Sequence, residues 1–419
     1  MTPTLEADPD CARPIERDAG VTDNSDTTAA TRSGQSAPNR ALRAERRAFG
    51  DIDRSTWDRL AALNPQASPF SSWAFHRAWW DAYGANAHDQ TVVVVDPAAP
   101  DPTQPVAIVP LMHRHVVEAS DAATHTMIRH ADGPALTPLA PTACVVYFGA
   151  SYHADYATIL AAPADLQAVA DAVVDAFATD AIGPEHDDPW SAIDLRRLRA
   201  ADPATEAFAA AFGAREMSNG WTLNVEREDV CPVITLPKGA DLDGFLSTLG
   251  KKERHEIRRK VRRAEAAGDV LLIDSADRLA DLDAFIDLHQ ARWGADGLFP
   301  PTPGGDQSRH FFRRLFELAD ESLHLAFLTV NGERIAAAVF FETQDSILYY
   351  NAGVSPEARE LSPGVVLLER LVRRAIDDGR CRVDLMRGDE PYKYEWGGVD
   401  EPVQRILVRR TAATAGGAA

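Results

Sequence analysis

The sequence contains no apolar run approaching the roughly 18 residues that a membrane-spanning helix needs. Nothing in its first forty residues resembles the apolar core of an export signal. These absences predict a cytoplasmic protein without membrane insertion. Cysteine is scarce: the four in 419 residues, Cys11, Cys144, Cys231 and Cys381, lie far apart. They form no C-x-x-C pair and have no histidine at zinc spacing, so reduced thiols and no metal are expected. Positive charge is also in short supply. Basic residues number 43 against 63 acidic ones, a net charge of −20, which opposes nonspecific nucleic-acid binding and predicts no DNA partner. Residues 1–44 hold few aliphatics among Thr, Ser, Asp, Ala, Gly and Pro. Such a segment cannot offset the entropy of ordering, and a disordered tail is expected there, with a second at 411–419.

What remains is ordinary globular sequence, long enough for two domains. Residues 55–83 carry Trp57, Leu60, Phe70, Trp73, Phe75, Trp79 and Trp80 at roughly helical spacing, broken by Pro65 and Pro69, which predicts two short helices on a sheet. Strand-like runs at 91–95, 106–112, 145–148, 192–195 and 221–225 alternate with helical patterns at 166–177 and 206–212. This is an α/β (α+β) layer pattern, read as a first domain over 45–230. A second domain is expected over 231–410, entered by a connecting strand at 231–237. It opens with one long helix at 241–267, capped by Asp241 and closed by Gly268, then helices at 281–293 and 308–319 around a Gly- and Pro-rich loop at 294–305. Asn331-Gly332 between two strand-like runs predicts a two-residue hairpin of type I′. A strand at 346–354, a helix at 365–378 and strands at 382–386 and 404–408 complete the pattern.

Between the strand at 346–354 and the helix at 365–378 lies Arg359-Glu360-Leu361-Ser362-Pro363-Gly364. Ser362 suits an N-cap, Pro363 the first helical position, and Gly364 clears a side chain from the start of the helix. A helix N-terminus in that setting can hold a phosphate, because its first N–H groups are unpaired and its dipole is positive there. A capped helix that binds nothing is the structural alternative.

The order of elements resembles the GNAT superfamily, whose loop between the fourth strand and the next helix carries Gln/Arg-x-x-Gly-x-Gly/Ala around the CoA pyrophosphate. Arg359 and Gly364 match, and Ser362 stands where the first glycine is expected. The set running from Phe245 through the basic helix, the Asn-Gly hairpin, Asn351-Ala352-Gly353 and on to Tyr392-Lys393 is similar to the CelD-like acetyltransferase branch, related to Fem-type aminoacyl transferases. The resemblance implies a GNAT-like mixed sheet flanked by helices, with the first domain a degenerate second copy. It implies acetyl-CoA or another acyl-CoA as donor, held by Arg359, Ser362, Pro363, Gly364, Asn351 and Gly353. It also implies an amine or hydroxyl acceptor on a small molecule or glycan precursor, with tRNA a partner only under a Fem-type reading.

Such chemistry needs an acid for the departing thiolate and a base for the acceptor. Tyr392 is the candidate acid, and Asp389 and Glu390 are candidate bases. Packing aromatics and a solvated acidic turn are the structural alternatives. Lys393 is a candidate contact for an acidic substrate group, and Trp293 a wall of the pocket. Eight basic residues crowd the helix at 251–263, either as a solvated face or as an anion site to be tested at Lys252, Arg258 and Arg259. His255 and His289 have no partner at a recognisable spacing and read as structural. Asp384 and Arg387 are expected to pair with each other.

Overall fold

A computed structural model of the protein describes residues 41–114, 136–182 and 190–410. The tails expected at 1–40 and 411–419, and Cys11, lie outside the described residues. Residues 41–44, read with the first tail, belong partly to a strand. In chain order the first half comprises β1 (Arg43–Arg46), α1 (Arg54–Leu63), α2 (Trp73–Tyr83), β2 (His88–Asp89), β3 (Val92–Val95), β4 (Pro105–Val109), β5 (Leu111–Arg114), β6 (Val145–Phe148), β7 (Leu160–Ala161), α3 (Leu166–Ala178), β8 (Ala192–Arg199) and α4 (Pro203–Asn219). A strand shared by both halves, β9 (Trp221–Thr235), comes next. The second half holds α5 (Leu242–Thr248), α6 (Lys251–Ala267), β10 (Val270–Asp274), α7 (Leu282–Trp293), α8 (Pro303–Leu318), β11 (Leu323–Val330), β12 (Glu333–Glu342), β13 (Ser346–Val354), α9 (Pro363–Asp377), β14 (Arg382–Asp384), α10 (Pro391–Glu395) and β15 (Val399–Arg410).

Eleven of these strands make one sheet, in the order β10-β11-β12-β13-β14-β9-β15-β8-β6-β5-β2. The order reads as a repeat about its centre. On one side β13 runs parallel to β14, on the other β6 runs parallel to β8, and the long antiparallel pair β9–β15 lies between. Each half lends its last strand to the other: β9 pairs with β14 through Val233 and Ile234, and β15 pairs with β8 through Ile406 and Leu407. The boundary expected between residues 230 and 231 therefore falls inside one continuous strand. Pro232 is accommodated there opposite Asp400.

The apolar faces explain the layering. On one face Phe75, Trp79, Phe285, Phe299, Phe311 and Phe312 from α2, α7, α8 and the loop before α8 bury against Phe327, Phe341 and Leu348. On the opposite face Ile257 and Ala264 of α6 and Val366, Leu367, Leu371 and Val372 of α9 pack on Ala336, Ala338, Phe340 and Ile347. Burial of each such side chain contributes about 1.5–3 kcal/mol. The first half has its own core, in which Val169, Val173, Phe177, Phe208 and Phe212 cover Val146, Phe148 and Ile193.

The hairpin forms as expected, with Asn331 at φ 51° and Gly332 at φ 84°. The asparagine side chain also accepts from Asp269 N–H at 2.9 Å and donates to Ala267 O, tying the turn to the end of α6. The single helix expected at 241–267 is instead two. Leu249 is extended (φ −78°, ψ 160°), Gly250 becomes the N-cap of α6, and the Leu249 side chain lies against Gly397. The loop expected to reach Gly305 is shorter, since Thr302 caps α8 and accepts from Gly305 N–H at 3.3 Å. Among the described residues no helix is long and apolar enough to cross a membrane.

Candidate active site

The strands β13 and β14 stay together for three residue pairs only: Ser346↔Arg382, Ile347↔Val383 and Leu348↔Asp384. Past Asp384 the chain is drawn toward β9, where Leu385 N–H donates to Pro232 O and Gly388 N–H to Val230 O, both at 3.0 Å. Met386 takes φ 60° to make this turn. The strand expected to reach Met386 thus stops at Asp384, whose carboxylate accepts from Met386 N–H at 2.9 Å. From Tyr349 onward, β13 pairs with β12 on one side and diverges from β14 on the other. The result is a wedge-shaped opening with a strand edge along one wall.

At the outer end of that wall the chain makes a short 3-10 turn, Arg359–Leu361, and enters α9 at Pro363. Ser362 occupies the N-cap position, but in the left-handed conformation at φ 53°, ψ 54°, and its side chain does not cap the helix. The hydroxyl instead accepts from Arg263 Nη2 of α6 at 2.7 Å. Among the described residues packing does not require glycine at 364: beyond its own helix and neighbours, a Cβ there would meet no atom closer than Val354 Cγ1 at 3.9 Å. Arg359 points into solvent, with its side chain 83% exposed beside Glu360.

The other candidates fall into three groups. Tyr392, Glu390 and Tyr349 lie within electrostatic reach of one another and of Arg292. Burial first, and then the Glu390 carboxylate, raises the Tyr392 hydroxyl well above its ordinary range. Trp293, 39% exposed, stands beside them with the Arg292 guanidinium 4.6 Å from its ring centroid. A phenol, a carboxylate, a guanidinium and an exposed indole are thus gathered around Tyr349 of β13.

A second group is structural. Lys393 is not available to a substrate: its ammonium donates to the carbonyls of Met386, Arg387 and Gly388 at 2.9, 2.7 and 3.1 Å, and Glu390 lies 3.0 Å away. An ammonium has three hydrogens, and all are used in holding the turn after β14. Gly353 is a packing glycine, since a Cβ there would lie 2.3 Å from His289 N on α7. Asn351 lies on β13 opposite Val339 and is half-buried. Asp389 is 1% exposed and so is shielded from solvent, unlike Glu390. His289 is structural as expected, pairing with Ala352 O at 3.1 Å and accepting from Leu298 N–H at 3.2 Å. Burial lowers its imidazole to about 4, which keeps it neutral.

The third group is the basic helix. Arg258 pairs with Asp243 and Arg259 with Glu256, each at 2.7 Å, and Lys252 is exposed. From the basic face of α6, Arg263 reaches the start of α9, where it donates to Ser362. It is one of the eight basic residues of this helix, of which Lys252, Arg258 and Arg259 are the expected anion contacts. Its spacing of ten residues from Glu253, at the helix start, carries no mark of its role. Asp384 and Arg387 do not pair with each other either. Tyr156 donates to Asp384 Oδ2 at 2.7 Å, and Arg387 Nε donates to Asp155 Oδ1 at 2.5 Å. Among the described residues no group of three or more His, Cys, Asp and Glu side chains could hold a metal ion.

Residues 251–394 match the family model described as an acetyltransferase (GNAT) domain. Of solved structures, FemX is similar at 11% identity, with 85% of this chain and 96% of that one covered and a TM-score of 0.54. A conserved protein of unknown function from Bacteroides thetaiotaomicron VPI-5482 is similar at 11% identity, with 86% and 98% covered and a TM-score of 0.50. A tandem GNAT protein from the clavulanic acid biosynthesis pathway aligns at 12% identity over 89% of this chain and 99% of that one, with a TM-score of 0.44. No curated protein matches the sequence. The fold is the expected mixed α/β one, a GNAT-like sheet flanked by helices in two related halves.

Proposed function

Taking residues 251–394 as a member of the GNAT acetyltransferase family, we propose that the protein moves an acyl group, acetyl in the simplest case, from acyl-CoA to an amine or hydroxyl of a small molecule or glycan precursor in the cytoplasm. The observation that carries this reading is the junction of Arg263 with Ser362 at the start of α9, at the end of a strand edge left open by β14. A guanidinium beside a helix N-terminus is a site for a diphosphate, since both present N–H donors and positive charge. An extended pantetheine arm fits the open edge of β13, to which its amides add as a strand would.

In this scheme the thioester carbonyl lies against a backbone N–H of β13, which stabilises the oxyanion as it forms. The acceptor's lone pair attacks the carbonyl carbon and the C–S bond breaks. The electron pair leaves on sulfur, and the Tyr392 hydroxyl supplies the proton that makes it a thiol. Glu390, through water, takes the proton lost by the acceptor. The raised Tyr392 hydroxyl remains protonated through the neutral range, as an acid must. Arg359, exposed in the loop before α9, adds a second charge to the diphosphate, and Trp293 forms a wall for the acceptor.

The CelD-like branch, with acyl-CoA rather than aminoacyl-tRNA as donor, is favoured by charge. A net charge of −20 repels a nucleic acid, and the pairing of Arg258 with Asp243 and of Arg259 with Glu256 offsets two of the cations that would attract one. The test is calorimetric titration of the full chain with acetyl-CoA and with free CoA. Saturable binding that weakens in Arg263→Ala supports the reading, and absence of binding to either overturns it.

A further inference from the structure

The first half repeats the opening of the second and then closes it. Its parallel strands β6 and β8 pair at Val145↔Ala192, Val146↔Ile193 and Tyr147↔Asp194, again three pairs, and then part. The edge of β8 beyond that point is not left open. The chain leaving β6 turns back, Ala157 bridges Leu198 in parallel, and Ala157 N–H donates to Arg197 O at 2.9 Å. The protein's own backbone takes the place that a strand-like ligand would take, so this half has no room for a second donor.

The same segment reaches across to the open wedge and touches both of its walls. The backbone carbonyl of His153 accepts from Tyr350 OH, on β13, at 3.0 Å. On the other side Asp155 holds Arg387 at 2.5 Å and Tyr156 OH donates to Asp384 at 2.7 Å, at the end of β14 and in the turn after it. All three contacts are buried or nearly so. His153, Asp155 and Tyr156 are 5%, 6% and 2% exposed.

The segment is itself anchored. The His153 ring stacks on Phe311 at 4.1 Å and its Nε2 lies 2.8 Å from Tyr83 OH, which in turn lies 3.0 Å from Ser308 Oγ. The Arg199 guanidinium covers the Tyr156 ring at 3.9 Å. Interior packing transmits such constraints because it is dense and has little room to relax.

We propose that residues 153–156 are a clamp which fixes the width of the β13–β14 wedge, making Asp155 and Tyr156 positioning residues for donor binding and limiting the protein to one donor per chain. The donor half of this proposal rests on the acyl-CoA reading above; the clamp itself does not. It gives the first half a task in the reaction without a ligand of its own. It also explains why Asp384 and Arg387, three residues apart on the chain, each look to the first half rather than to each other.

The test uses full-length Tyr156→Phe and Asp155→Asn, with Val173→Ala as a control that weakens the first-half core away from the wedge. Amide hydrogen exchange is followed at residues 349–353 and 385–388, and acetyl-CoA affinity by calorimetry. Tyr156→Phe loses a hydrogen bond to the Asp384 carboxylate and Asp155→Asn loses the charge that pairs with Arg387, so about tenfold or more faster exchange confined to those two segments is expected. Acetyl-CoA Kd should rise by about the same factor, while Val173→Ala lowers Tm and leaves affinity unchanged. Unchanged exchange at both walls, or faster exchange spread evenly over the sheet, overturns the clamp. So does unchanged affinity in a wild type that binds. Localised loosening in a protein whose wild type does not bind acetyl-CoA leaves the clamp standing and removes the donor reading instead. Two equivalents of acetyl-CoA per chain would contradict the closure of the first half.

Discussion

Arg263 on α6 donates to the hydroxyl of Ser362, 99 residues later in the chain, at 2.7 Å. The bond joins a basic helix to the start of α9 and fixes the Arg263 guanidinium there. Removing it separates charge from scaffold. Arg263→Ala is expected to weaken CoA binding about 10- to 100-fold, as loss of a charge-assisted contact to phosphate does. Arg259→Ala, whose partner is Glu256, is expected to change it less than about twofold. Parallel titrations with CoA check both.

Ser362 is held at φ 53°, where a side chain costs about 1–2 kcal/mol relative to glycine. Ser362→Gly relieves that strain but loses the Arg263 bond, so its stability should stay within about 1 kcal/mol of wild type. Ser362→Val keeps the strain, adds a branched side chain and loses the bond, and is expected to cost about 2 kcal/mol or more. Urea unfolding of the two variants distinguishes them.

Tyr392→Phe is expected to lower kcat by about 10²–10⁴-fold with little change in KM for the donor, because the hydroxyl acts on the departing thiolate rather than on binding. The sign of the pH dependence follows from the raised hydroxyl. An acid works while protonated, so raising it moves the alkaline loss of activity to higher pH, beyond the ordinary tyrosine range. A pH profile of kcat that falls between pH 7 and 9 on account of this group would contradict the assignment.

Burial pushes the Asp384 carboxyl up to about 6 from its ordinary 3.8, against the opposing hydrogen bond from Tyr156. A folded-state value above the unfolded one means that the contribution to stability is fully present below the unfolded value and is lost as pH rises through the folded one. The loss, roughly 3 kcal/mol, falls between about pH 4 and pH 6. Asp384→Asn should flatten that part of the stability profile, as measured by denaturant unfolding at pH 4.5 and pH 7.5.

Much of the second half was legible in the sequence because its signals are local. Asn331-Gly332 dictates its turn, and the apolar period of the helix after Pro363 dictates α9. The site was only partly legible, for a physical reason: its groups meet through long-range pairing. Lys393 beside Tyr392 has the look of a substrate contact, yet its ammonium closes a turn whose carbonyls converge only in three dimensions. Asp155 and Arg387 are 232 residues apart, and no spacing rule connects them. The helix break at Leu249 is not legible in the sequence because Asp241, Phe245 and the basic run share one helical period, while Leu249 meets Gly397 only through the fold. The boundary expected at 230/231 falls inside one continuous strand, and the two exchanged strands cannot be seen by reading in chain order.

The most direct test of the account is calorimetric titration of the full chain with acetyl-CoA, run beside Arg263→Ala. The account predicts one saturable equivalent per chain in the wild type and binding weakened by about tenfold or more in the variant. Titrations of acetyl-CoA and free CoA that give no saturable heat, or an Arg263→Ala variant that binds as tightly as wild type, would contradict it.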